Sequence, residues 1–162
     1  MPHHDRDVPT VRATVITVSD TRTQKDDLGG DAAAEGLASA GHQVLTRAVV
    51  KDDADAILAA VQAGIDAGAN VVITTGGTGI APRDVTYEAI AALLEKTLDG
   101  FGEAFRRLSW AEVGARSILS RAVAGVYRGA LVVVLPGSPK AVRLAMNEVL
   151  LPVLGHAVGL LR

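Results

Sequence analysis

The chain has 162 residues, enough for one domain with a sizeable core, and its apolar content comes from Ala, Val, Leu and Gly, with only one Trp, two Tyr and two Phe. A formal net charge of -2 leaves no basic excess for nucleic acid or acidic lipid, so a small solute is the expected ligand class. The absence of cysteine excludes disulfides, thiolate metal sites and a cysteine nucleophile, and it suits a reducing cytosol.

"MPHHDRDVPT" lacks the basic-then-apolar pattern of a signal peptide and reads as a flexible tail over residues 1–10, ahead of one domain over 11–162. No stretch is read as the roughly 20 apolar residues of a membrane span, so a cytoplasmic protein with no membrane partner is expected. Branched residues over Arg12–Val18 predict a first strand that ends at Ser19 and Asp20. "DAAAEGLASAG" predicts a helix with Asp31 as N-cap and Gly41 as stop. "HQVLTRAVV" gives a second strand, and "KDDADAILAAVQAGIDAG" an acid-led helix with Asp52 and Asp53 at the junction.

Val71–Thr75 is a third strand, followed by the loop "GGTGIAPRD" and Thr86, read as N-cap of a helix over "YEAIAALLEK". Short helices with glycine breaks are expected over 97–122. "VAGVYRG" and "ALVVVLPG" then predict a strand pair turning at Arg128-Gly129. Ser138 caps the last helix, with Pro139 at its first position, where the missing N–H costs nothing. Alternating strands and helices predict an α/β fold with a mostly parallel sheet, whose ligands gather at the strands' carboxyl ends. Asp20, Asp52, the 76–84 loop and Pro136–Lys140 all map there.

Gly76-Gly77-Thr78-Gly79 is neither a P-loop nor G-x-G-x-x-G, so it reads either as a tight turn or as an anion cradle of main-chain N–H groups. On the second reading, a Cβ at Gly77 or Gly79 would intrude on a phosphate. Asp52, Asp53 and Asp84 read either as helix-start charges or as carboxylates holding a cation beside that anion, and Mg²⁺ takes such oxygen ligands. Ser138 and Lys140 are equally a helix start and a ligand contact. The histidines, His3, His4, His42 and His156, share no ligand spacing. Phe101, Phe105 and Trp110 read as core or subunit contacts, and Tyr87 as packing.

"TTGGTGIAPRDVT", "GFGE", "LSRAVAG" and "LPGSPKAV", in that order, resemble the MoaB/Mog family of molybdenum cofactor biosynthesis proteins, over about Arg12 to Leu154. The resemblance implies a three-layer αβα sandwich with a mixed sheet, assembled as a homo-oligomer, a trimer or a dimer of trimers. It implies Mg²⁺-dependent transfer of the adenylyl group of ATP to molybdopterin, with Asp52 and Asp84 as metal-holding catalytic residues. Thr75, Gly76, Gly77, Thr78, Gly79 and Thr86 would hold nucleotide phosphate. Ser19 and Asp20 match the segment after the first strand, and Pro136, Gly137, Ser138 and Lys140 the segment near nucleotide and pterin. A downstream molybdenum-insertion protein is an implied partner. "GFGEAFRRLSWAEVG" and "SRAVAG" read closer to the MoaB branch, which leaves a non-catalytic molybdopterin-binding or carrier protein as the alternative.

Overall fold

The computed structural model describes residues 7–162, so the expected tail is described only from Asp7, and His3 and His4 lie outside the described residues. Val8 is buried, and its amide donates to Gly155 O at 3.1 Å. The described residues form a six-stranded sheet in the order β2-β1-β3-β6-β5-β4. Its strands are β1 (Arg12–Val18), β2 (Gln43–Val50), β3 (Val71–Thr75), β4 (Lys96–Thr97), β5 (Val123–Tyr127) and β6 (Ala130–Leu135). β2, β1, β3 and β6 run parallel, while β5 and β4 add an antiparallel edge. The sheet is thus mixed and mostly parallel, as the strand–helix alternation predicts.

Strand side chains alternate between the faces, which sorts the core into two layers. Val15, Ile73, Val133 and Leu135 pack with Leu37 of α1 (Leu28–Ser39), Phe101 and Phe105 of α4 (Asp99–Val113), and Met146 and Leu154 near the C-terminus. Ile16, Val72, Val132 and Val134 pack with Ile57 and Val61 of α2 (Ala54–Asp66) and Ile90 of α3 (Thr86–Ala91). Because α1 and α2 cover opposite faces, the chain leaves β1 in one direction and returns past it in the other. That places a topological switch point between β1 and β3, where an open α/β sheet forms a ligand crevice.

Several local expectations are corrected. The α1 N-cap is Asp27, whose side chain accepts from Gly30 N, while Asp31 sits in the first turn. Thr86 is the first residue of α3 rather than its cap, and α3 ends at Ala91 because Lys96 and Thr97 pair with β5. Residues 99–113 form one helix running through Gly100 and Gly102. Gly102 is needed there for close approach, since a Cβ would lie 3.0 Å from Ala122 O and nearer still to Arg106.

Arg128 and Gly129 both have positive φ, the two-residue turn that matches strand twist. After Ser138 and Pro139, α5 (Pro139–Leu144), a π-helical stretch (Ala145–Leu150) and α6 (Leu151–Leu160) form one continuous helix. Contrary to the composition reading, this 22-residue run is long and apolar enough to cross a membrane. Here Val142, Ala145, Met146, Leu150, Leu154 and Val158 pack it into the core.

Candidate functional site

The carboxyl ends of β1, β2, β3 and β6 bring the residues singled out in the sequence to one edge of the sheet. Ser19 follows β1 and is tied to β2 through Ser19 N to Val50 O at 2.8 Å. Its hydroxyl accepts from the amides of Thr21 and Arg22, so it serves its own turn. Asp20 bridges two loops: Oδ1 accepts from Asp52 N at 3.0 Å, and Oδ2 accepts from Arg83 Nη2 at 2.9 Å. The same guanidinium lies 3.8 Å from Asp52 Oδ2. Asp53 is the α2 N-cap, accepting from Ala56 N, which settles its bland reading and leaves Asp52 facing Asp20.

Burial pushes the Asp52 carboxyl above its ordinary pKa, and the negative charges of Asp20 and Asp84 push the same way against Arg83. Carboxylates from three loops therefore share one field, with a single guanidinium bridging two of them. Among the described residues, no group of three or more His, Cys, Asp or Glu is gathered as a metal cage. The carboxylates fit a cation that keeps waters and takes substrate oxygens, as Mg²⁺ does.

The glycine loop begins inside the sheet, where Thr75 is buried and Gly76 N donates to Leu135 O at 2.9 Å. Gly76 and Gly77 have φ of 93° and 70°. A Cβ on Gly76 would sit 2.4 Å from Val18 O, and one on Gly77 would sit 2.1 Å from Thr86 Oγ1. Both vectors point into protein, so the expectation that a Cβ at Gly77 would block a phosphate is corrected. A Cβ on Gly79 would instead meet Asp84 Oδ2 at 2.6 Å. Asp84 accepts from Ala81 N at 3.0 Å, folding its carboxylate back over the loop. The Thr86 hydroxyl is fully buried and has no partner among the described residues. An orphaned buried hydroxyl beside the loop is compatible with a bound anion.

Gly137 packs against Gly76, and a Cβ on Gly29 of α1 would lie 2.8 Å from Gly137 O, so three backbones converge here. Ser138 caps α5, its Oγ accepting from Ala141 N at 3.5 Å, and exposed Lys140 lies 3.9 Å from Glu112. Pro136, Ser138 and Lys140 line a cavity of about 180 Å³ together with Phe105, Ser109 and Ser117. Ser117 and Ser120 at this wall hold buried hydroxyls without a partner among the described residues.

Three side chains, Asp27, Arg47 and Arg121, escaped the sequence reading. Asp27 is buried, accepting from Thr17 Oγ1 at 2.6 Å and from Arg47 at 3.1 Å, and Arg47 also pairs with Asp31 at 2.7 Å. Burial opposes the Arg47 charge, but Asp31 and Asp27 outweigh it and raise the pKa. Arg121, inside the quoted "LSRAVAG", reaches back over the glycine loop. Its proximity is a tertiary fact that helical or strand period does not signal. His42 accepts from Val11 N, burial lowers its pKa, and His156 pairs with Asp7, so neither belongs to the site.

Residues 14–156 match the family model described as "Probable molybdopterin binding domain". The chain belongs to this family. It is 48% identical over 156 residues to molybdenum cofactor biosynthesis protein B of Bacillus cereus, covering 94% of this chain and 92% of that protein. A crystal structure of a molybdenum cofactor biosynthesis protein B superposes with a TM-score of 0.91 at 48% identity, covering 95% of this chain and 98% of the other. The molybdopterin biosynthesis Mog protein of Mycobacterium ulcerans superposes with a TM-score of 0.85 at 35% identity, covering 94% and 99%. The chain is thus a molybdenum cofactor biosynthesis protein with the MoaB/Mog fold.

Proposed function

We propose that the protein is a molybdopterin adenylyltransferase using MgATP. The observation that carries this reading is the gathering of Asp20 and Asp52 around Arg83 at the strands' carboxyl ends, beside the glycine loop that Asp84 closes. Carboxylates next to an anion cradle repel the anion unless a cation intervenes. Bound Mg²⁺ would neutralise nucleotide phosphate and the departing pyrophosphate, with Asp52 and Asp84 as its protein ligands.

An oxygen of the pterin's terminal phosphate forms the new bond to the ATP α-phosphorus, the bond from that phosphorus to the β-phosphate oxygen breaks, and pyrophosphate leaves. A phosphate monoester with a second pKa of about 6 is already largely ionised at neutral pH, so the chain needs no general base. Thr75–Gly79 and Thr86 align the nucleotide phosphates, Ser19 and Asp20 border them, and Pro136–Ser138 with Lys140 face the pterin. Catalysis is then alignment and charge neutralisation. The adenylylated product would pass to a molybdenum-insertion protein, and the setting is cytoplasmic, with no nucleic acid or membrane partner.

A non-catalytic molybdopterin carrier of the same fold is the second reading, favoured by Arg83, whose guanidinium bridges Asp20 and Asp52 and offsets their charge. Incubation of stoichiometric protein with molybdopterin and MgATP separates the two. Adenylyl-molybdopterin is expected, and tight pterin binding without it rejects the enzyme. Asp84→Ala is expected to slow turnover by about two to four orders of magnitude in a folded protein, as loss of a group worth several kcal/mol in the transition state would do.

A further inference from the structure

We infer that Arg121 is a positioning residue that holds the 78–84 loop with its carbonyls turned to one side and its amides left for a phosphate. The inference rests on the nucleotide-binding reading above. Arg121 stands between the 3₁₀ helix Gly114–Leu119 and β5, far in sequence from the loop it grips. Its main-chain amide donates to Thr78 O at 3.2 Å. Its Nε donates to Gly79 O at 3.1 Å and more weakly to Thr78 O at 3.3 Å. Its Nη2 donates to Gly79 O at 2.6 Å and to Asp84 O at 3.3 Å, so one planar group spans both ends of the loop. Glu88 of α3 pairs with Nη1, and the guanidinium carbon lies 5.1 Å from the centre of the Tyr87 ring.

The chemistry explains why arginine suits this place. Carbonyl oxygens lining a phosphate site repel the ligand, so an anion-binding loop must satisfy them elsewhere. Arg121 takes the carbonyls of Thr78, Gly79 and Asp84 with fixed in-plane donors, which a lysine cannot match because its ammonium is a single flexible point. The amides of Gly77, Thr78, Gly79 and Ile80 donate to no partner among the described residues. Four successive amides without a partner beside three captured carbonyls leave the loop's donors, and not its acceptors, for a ligand. Asp84 is set by the same grip, since its carbonyl is held by Arg121 while its carboxylate folds back to Ala81 N. Glu88 and Tyr87 fix the guanidinium from the helix side, and hydrogen bonding to Arg121 lowers the Glu88 pKa.

The test compares calorimetric affinities for MgATP and for adenosine in the full chain, with Arg121→Lys, Arg121→Gln and Glu88→Gln beside the natural protein. Adenosine carries neither phosphate nor Mg²⁺, so it reports the part of the site that the loop does not contact. Both Arg121 variants are expected to lose about tenfold or more in MgATP affinity with adenosine unchanged, because several charge-assisted hydrogen bonds that order the loop are gone. Glu88→Gln, which loosens the guanidinium but leaves its carbonyl bonds, is expected to lose less MgATP affinity than either Arg121 variant. A folded Arg121→Lys with natural MgATP affinity overturns the inference, whether or not Arg121→Gln folds. Equal losses for MgATP and adenosine also overturn it, since they show a purely structural role. Failure of the natural protein to bind MgATP instead rejects the nucleotide reading itself.

Discussion

At the scale of single residues, Gly77 and Gly79 separate the loop's two duties. Gly77 combines positive φ with a Cβ vector aimed at buried Thr86, so Gly77→Ala should cost about 2–4 kcal/mol from backbone strain and overpacking. Its thermal midpoint is expected to fall clearly. Gly79 has no positive φ, and its added methyl would displace the Asp84 carboxylate instead. Gly79→Ala should therefore keep most of its stability and lose MgATP affinity; calorimetry and thermal melts on both variants check the contrast. Asp52 gives a second prediction through pH. Its folded pKa is raised, chiefly by burial and then by Asp20, so the unfolded chain ionises first as pH rises and stability falls through that window. Asp52→Asn removes this loss. Without divalent cation the variant should melt above the natural protein at pH 7, with the gap closing below the ordinary carboxylate range. A lower midpoint at pH 7 would mean that Asp52 is held favourably even in the absence of metal.

At the scale of elements, α1 depends on a buried polar anchor. Asp27 caps Gly30, accepts from Thr17 and pairs with Arg47, and its partner Thr17 also receives the Thr75 hydroxyl at 3.3 Å. Asp27→Ala strands the Arg47 and Thr17 donors and frees a helix end, so a loss of about 3–5 kcal/mol is expected in urea unfolding. A loss below about 1 kcal/mol would show that Asp31 alone holds Arg47. This anchor also marks where sequence reading stops. The four parallel strands were legible because branched runs end in polar or glycine-bearing pairs, and that pattern places Asp20, Asp52 and the glycine loop at one edge. The Ser138 cap was legible from the serine that opens its helix, whereas Asp53 was legible only as an acid at a helix start. Asp27 was not, because "TRTQKDDLGG" carries no apolar period and only burial under Arg47 selects Asp27 over Asp26 or Asp31. The short α3 and the unbroken α4 were missed for a related reason. Pairing of Lys96 with β5 and close packing of Gly102 on Ala122 override local propensity. Arg121 was quoted only as part of a motif, since its grip spans about 40 positions of sequence.

At the scale of the whole molecule, the apolar excess has a definite place. Trp110 and Ile118, 55% and 68% exposed, lie with Val113 and Leu119 on α4 and the 3₁₀ helix after it. Ile118 and Trp110 line one shallow cleft with Arg106, Arg107 and Ser117. Clustered large apolar side chains beside arginines are the makeup of a subunit contact rather than of a solvated face. A homo-oligomer with threefold symmetry, as the family resemblance implies, closes each trimer head to tail, so each chain offers two different faces and every contact within a trimer uses this one once. Charge placed in one face should then break all contacts of the trimer together. The natural protein is expected to sediment at three or six times its 16.7 kDa chain mass, and Trp110→Glu combined with Ile118→Asp below the mass of a trimer. Both changes lie on exposed positions, so the variant's fold should persist by circular dichroism. The 3₁₀ helix runs through Ser120 into Arg121, which donates to the carbonyls of the glycine loop, so freeing it should also weaken MgATP binding. A natural protein that sediments as one chain at micromolar concentration would reject the assembly, while a variant that stays at or above the mass of a trimer would move the contact to another face.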